Sequence, residues 1–99
     1  MAKVTGNYEV LYVINPTLGE EETAALVAKF KDLAESRGTV TEVDEWGKRK
    51  LAYLINDLDE GYYVLMTFTA DPAFPAELDR KMRIETGIMR SMIISKEAG

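Results

Sequence analysis

Tyr62-Tyr63-Val64-Leu65-Met66-Thr67-Phe68-Thr69, residues 62–69, decides the fold. Tyr62, Val64, Met66 and Phe68 share one parity, the other positions alternate against them, and the stretch is rich in β-formers, so it predicts a strand. Just upstream, Asn56 to Gly61 carries turn chemistry, and before that Thr39 to Ile55 reads as a long partner strand, which makes the pair a hairpin. Alternation breaks in that partner: Leu51, Tyr53 and Ile55 share a parity that Val40 and Trp46 do not. Gly47 sits at the break, where a bulge would bend the strand and swap its faces.

Working outward, Asp71 predicts the cap of a helix with Pro72 at its first position and Phe74, Leu78 and Met82 as its buried stripe. Pro75 is tolerable in that first turn, where amide donors have no internal partner, and Thr86-Gly87 ends the helix. Ile88 to Ser95 is a last strand, with Met89, Ser91 and Ile93 on one face and Ile88, Arg90, Met92 and Ile94 on the other. On the N-terminal side, Asn7 to Ile14 alternates as a first strand and Asn15-Pro16 stops it. A helix follows Gly19: Glu20, Glu21 and Glu22 suit its positive end, Leu26, Val27, Phe30, Leu33 and Ala34 recur at helical spacing, and Arg37-Gly38 ends it.

The order βαββαβ is the ferredoxin-like α+β sandwich, a four-stranded antiparallel sheet with two helices on one face. A single domain over residues 1–99 is expected, residues 1–6 forming an N-terminal arm, with the first and third strands at the centre of the sheet. If Tyr8, Val10, Tyr12 and Ile14 face the helices, the open face collects Leu11, Val13, Leu65, Met92 and Ile94, with Tyr63, Glu9 and Arg90 among them. So apolar an uncovered face predicts a binding surface.

Composition narrows the function. The chain has no cysteine and no histidine, which removes thiolate metal sites, the cysteine nucleophile and the usual general base near neutral pH, so no catalysis, metal or cofactor is expected. Neither phosphate-cradling glycine motif occurs. The amino terminus lacks a secretion signal and no apolar run approaches a membrane span, so a cytoplasmic protein with no membrane partner is expected. Twelve basic against seventeen acidic residues give a net charge of −5, which argues against a polyanion partner. Distribution counters this, because seven cations fall in Lys48-Arg49-Lys50 and in Arg80, Lys81, Arg83 and Arg90.

Trp46-Gly47-Lys48-Arg49-Lys50-Leu51-Ala52-Tyr53 is the most distinctive motif: its cations would grip phosphates while a flanking ring stacks on a base. The plainer reading makes the aromatics packing and the cations protection for a sheet edge. Arg83 and Arg90 have guanidinium forks suited to phosphate oxygens, or else pair with Glu77, Asp79 or Glu85 at the surface. Asp44 and Glu45, like Asp57, Asp59 and Glu60, fit neither a calcium loop nor a hydrolase cleft, and read as solvated charge.

Tyr8-Glu9, Asn15-Pro16, the Trp46 to Tyr53 motif, Gly61-Tyr62-Tyr63, Arg83 and Met89-Arg90-Ser91-Met92, in this order, resemble the family of bacterial small-subunit ribosomal protein six from Tyr8 to about Ser95. The chain departs from that family's pattern at Leu54, where proline is frequent. The resemblance implies a non-enzymatic part of the small ribosomal subunit that pairs with small-subunit ribosomal protein eighteen and, as that heterodimer, binds the central domain of the small-subunit ribosomal RNA. It makes Lys48, Arg49, Lys50, Arg83 and Arg90 the candidate RNA contacts. Trp46, Tyr53, Leu11, Tyr63, Leu65 and Met92 are the candidate partner-protein interface, and the isolated chain is expected to be a monomer. The rival reading is a regulatory ferredoxin-like module that binds a small molecule as a homodimer.

Overall fold

The computed structural model describes the backbone of residues 6–55 and 58–96, and the side chains of those residues outside 51–59. Six elements follow in order: β1 (Gly6–Ile14), α1 (Glu20–Arg37), β2 (Gly38–Ile55), β3 (Leu58–Ala70), α2 (Phe74–Ile84) and β4 (Ile88–Ser95). The strands form one antiparallel sheet in the order β2-β3-β1-β4. The ferredoxin-like sandwich read from the alternation is present, with β1 and β3 at its centre.

Period-two side chains sort the central strands into two faces. Val10, Tyr12, Ile14, Val64, Met66, Phe68 and Ala70 are buried towards the helices and meet Val27, Phe30 and Ala34 of α1 and Phe74, Leu78 and Met82 of α2. Aromatic edges lock the layers: Phe68 meets Phe74 at 83° with centroids 5.7 Å apart, and Tyr12 meets Phe30 at 61° and 5.9 Å. Arg37, in the last turn of α1, ties the two helices together. Its guanidinium lies 5.4 Å from the centre of the Phe74 ring, and it pairs with Glu77 and Asp71.

Both outer strands depart from strict alternation. In β2 the register slips between Val40 and Glu42, leaving Thr41 extra, so Val40 and Val43 both pack on the core although their parities differ. It slips again between Glu45 and Gly47, leaving Trp46 extra, and Gly47 takes a φ of 82°, a left-handed conformation that costs glycine least. This is the bulge expected at Gly47. In β4 a slip opposite Val13 and Ile14 pairs Ile14 with Ile88, so Ile88 packs on the core beside Ile93 and not on the face its parity predicted.

Several boundaries also differ from the sequence reading. Helix α2 starts at Phe74 with Pro75 in its first turn, so Pro72 is not its first residue. Asp71 turns the chain first: its Oδ1 accepts from the Ala73 N–H at 3.0 Å and its carbonyl from the Phe74 N–H at 3.1 Å, which uses up Pro72 and Ala73 before the helix begins. Leu58 to Gly61 belong to β3, since Gly61 and Glu60 pair with Arg49 and Lys50. Gly6 opens β1 opposite Ala70, and the rest of the expected arm, residues 1–5, lies outside the described residues. Because β1 pairs with β3 only from Tyr62 onward, the far end of the β2–β3 hairpin has no third strand beside it among the described residues, and the molecule is 49 Å long against 28 and 22 Å.

Candidate protein and RNA interface

Antiparallel register places the side chains of the open face in rows across the four strands. Glu42, Thr67, Glu9 and Ile94 form one row, Asp44, Leu65, Leu11 and Met92 the next, and Gly47, Tyr63, Val13 and Arg90 a third. The first two rows hold aliphatics and carboxylates. The third begins a cationic and aromatic end.

That end is built around the bulge. Trp46, the extra residue, lays its ring on Tyr63, nearly parallel at 9° with centroids 6.1 Å apart, and its indole N–H donates to Asp44 Oδ2 at 3.0 Å. The Arg49 guanidinium stands 5.5 Å from the Trp46 ring centre. A cation, a ring and a second ring thus form a short stack on the sheet. Two shallow hollows flank it. One, of about 160 Å³, is lined by Glu9, Leu11, Trp46, Leu65, Met92 and Ile94. The other, of about 350 Å³, is lined by Leu11, Val13, Tyr63, Arg90, Ser91 and Met92.

On the helix-covered face Tyr12, Ile14, Met66 and Phe68 are fully buried, whereas Met92, Ile94 and Trp46 on the open face are 59%, 47% and 37% exposed. Five of the six side chains expected at a protein interface, Leu11, Trp46, Tyr63, Leu65 and Met92, lie together here. Tyr53 falls among the residues whose side chains are not described.

The cations are not one patch. Strand alternation sends Lys48, opposite the helix-facing Tyr62, and Lys50, opposite Glu60, to the helix side, and leaves Arg49, opposite Gly61, on the open side. Arg83 stands in the last turn of α2, in the other layer, where its Nε donates to Asp79 Oδ2 at 2.8 Å one helical turn away. Arg90 is on the open face beside Val13. The fold therefore brings Arg49 and Arg90 onto the sheet surface with the aromatics and keeps Lys48, Lys50 and Arg83 off it. Consecutive placement of Lys48-Arg49-Lys50 in a strand already carried this signal, since neighbours point to opposite faces.

Among the described residues, no group of three or more acidic, histidine or cysteine side chains is placed to hold a metal ion, and no helix is long and apolar enough to cross a membrane. A two-layer sandwich with one apolar, aromatic and guanidinium-bearing sheet face defines a binding scaffold of the ferredoxin-like class. Sequence comparison narrows the class: the family described as Ribosomal protein S6 matches residues 7–95, and the chain belongs to it. It is 53% identical to the small ribosomal subunit protein bS6 of Clostridium novyi (strain NT), covering 92% of this chain and 97% of that protein. With the bS6 of Desulforamulus reducens it shares 56% identity over 89% of this chain and 94% of the relative. The crystal structure of 30S ribosomal protein S6 from Thermotoga maritima superposes with a TM-score of 0.88 at 32% identity, covering 94% of this chain and 89% of that one. Family membership makes this chain a non-enzymatic structural constituent of the small ribosomal subunit, associated with that subunit and its RNA in the cytoplasm.

Proposed function

We propose that the chain binds the central domain of the small-subunit ribosomal RNA as a heterodimer with small-subunit ribosomal protein eighteen, and is a monomer when isolated. The open sheet face carries the reading: three large apolar side chains stand exposed on a surface whose Trp46–Tyr63 end also holds Arg49 and Arg90. Leu11, Leu65, Met92 and Ile94 supply the apolar centre a partner protein would cover, and Glu9, Glu42 and Asp44 around them favour a basic partner. A net charge of −5 sets the chain's own field against RNA, so a basic partner that shares phosphate neutralisation raises affinity.

Gel-shift titration of a central-domain RNA with this chain, alone and with protein eighteen, tests the reading. Tight binding is expected only with both proteins, and equal affinity in the two cases would remove the heterodimer. A stable homodimer on size exclusion would favour the metabolite-binding alternative. The five cations then divide by face: Arg49→Glu weakens assembly more than Lys50→Glu, because the Arg49 guanidinium shares a surface with Trp46, Tyr63 and Arg90. Both variants fold normally, since both side chains are exposed. Equal losses in pull-downs of assembled particles would return Lys50 to the same contact.

A further inference from the structure

Glu9 puts a charge in the middle of the open face's apolar end. It stands in the central strand β1, between Thr67 of β3 and Ile94 of β4, and it lines the hollow of about 160 Å³ together with Leu11, Trp46, Leu65, Met92 and Ile94. Water can carry a charge at the margin of a sheet, as it does for the exposed Glu42 on β2 at the outer end of the same row. Glu9 is instead half-buried among aliphatic side chains. Taking a carboxylate out of water costs free energy unless a partner restores what the water gave.

The chain itself supplies no such partner. Among the described residues, no side chain forms an ion pair or hydrogen bond with the Glu9 carboxylate. Arg90 shares the face but pairs opposite Val13, two rows away and about 13 Å along the strand. Lys96 lies nearer, just past β4 and across from Asn7, yet makes no ion pair with Glu9. The indole N–H of Trp46, on the wall of the hollow, is taken by Asp44.

Resting on the reading that a partner protein covers this face, we infer that the hollow receives one arginine side chain of that partner. Its methylenes lie along Leu11, Leu65 and Met92, and its guanidinium meets the Glu9 carboxylate. A purely apolar occupant would strip water from Glu9 and leave the charge unpaired, which is the costly outcome. A guanidinium removes that cost, since its planar fork matches a carboxylate with two parallel hydrogen bonds. Arginine suits the hollow better than lysine because its head group is more weakly hydrated and loses less on entering an apolar setting. An RNA phosphate is repelled from this end by Glu9, Glu42 and Asp44.

NMR of the full chain bound to protein eighteen carrying isotope-labelled arginine reads the site. One arginine Nε–H is expected to exchange slowly with water and to show nuclear Overhauser contacts to the methyl groups of Leu11, Leu65 and Met92. Glu9→Gln abolishes that signal and weakens the complex about tenfold or more. Glu42→Gln, which removes the same charge from the exposed end of the row, weakens it only about twofold. Thermal melts of Glu9→Gln match or exceed those of the parent chain, because the carboxylate has no partner to lose, so the weakening reads a lost contact and not a lost fold. A complex that forms with a lysine or no cation at these methyl groups, or that loses equally from Glu9→Gln and Glu42→Gln, overturns the arginine site and leaves the heterodimer standing. No complex at all removes the heterodimer and this site with it.

Discussion

The two faces of this one sheet have similar local sequence and opposite fates. Tyr62, Val64, Met66 and Phe68 alternate with Tyr63, Leu65, Thr67 and Thr69 along one strand, yet the first set is closed over by α1 and α2 while the second meets solvent. Both carry apolar residues, so hydrophobicity does not tell a core from an interface; the number of layers does. A helix pair long enough to shield one side leaves the other to be covered by something else. Substitutions on the two faces should therefore separate stability from assembly.

The largest effect belongs to the covered face. Phe30→Ala or Phe68→Ala removes a fully buried ring that touches another aromatic, and should lower unfolding free energy by about 3–5 kcal/mol in urea melts. A loss under about 1 kcal/mol would mean that the helices do not close a packed core.

The seam between the helices comes next. Arg37→Ala gives up the ring contact with Phe74 and the ion pair with Glu77, together about 1–2 kcal/mol for half-exposed groups. The same seam makes stability depend on acid. Desolvation, the largest single influence on Asp71, pushes its carboxyl up, but hydrogen bonds from the Ala73 and Phe74 N–H groups and the charge of Arg37 outweigh it and hold the carboxyl low. Glu85 is held low chiefly by the hydrogen bond from Lys29. A depressed folded-state value means the stabilisation is complete above the unfolded-state value and is lost as pH falls through the folded one. Thermal melts should hold steady above about pH 5 and decline below about pH 4, and in Arg37→Ala the acid decline should be shallower. An unchanged acid limb in that variant would remove the seam from the account.

The smallest change in stability is expected on the open face. Met92→Ser should shift unfolding by no more than about 0.5 kcal/mol, because Met92 is largely exposed. Calorimetry against the partner protein should nevertheless record a clear loss of affinity. A variant that melts early but binds normally would reverse the assignment of the two faces.

Much of this division was legible in residue order. Strict alternation in β1 and β3 marks which side chains go in and which go out, since a pleated strand allows nothing else. The outer strands were harder. Gly47 announced its bulge, but nothing in Thr41 or Met89 signals that the register slips there, because those slips are settled by pairing with β3 and β1. Asp71-Pro72 also misled: either residue suits a helix start, and only the bond from Ala73 to the Asp71 side chain selects the turn that delays it. Of the site residues, Leu11, Tyr63, Leu65 and Met92 follow from parity, whereas Trp46, the extra residue of the bulge, is marked only by its motif. The cations were grouped by proximity in sequence, which a strand undoes. The hydrogen bond from Tyr62 to Glu45 joins two strands just before the Trp46 bulge and has no local signature.

Methyl NMR of the chain bound to small-subunit ribosomal protein eighteen tests the central claim most directly, because Met92, Leu65, Leu11 and Ile94 report one face and Met66, Met82, Leu78 and Val27 the other. Perturbation concentrated on the first group, with the second nearly unmoved, is the expected result. Perturbation centred on the outer surfaces of α1 and α2, with Met92 and Leu65 unchanged, would contradict the account.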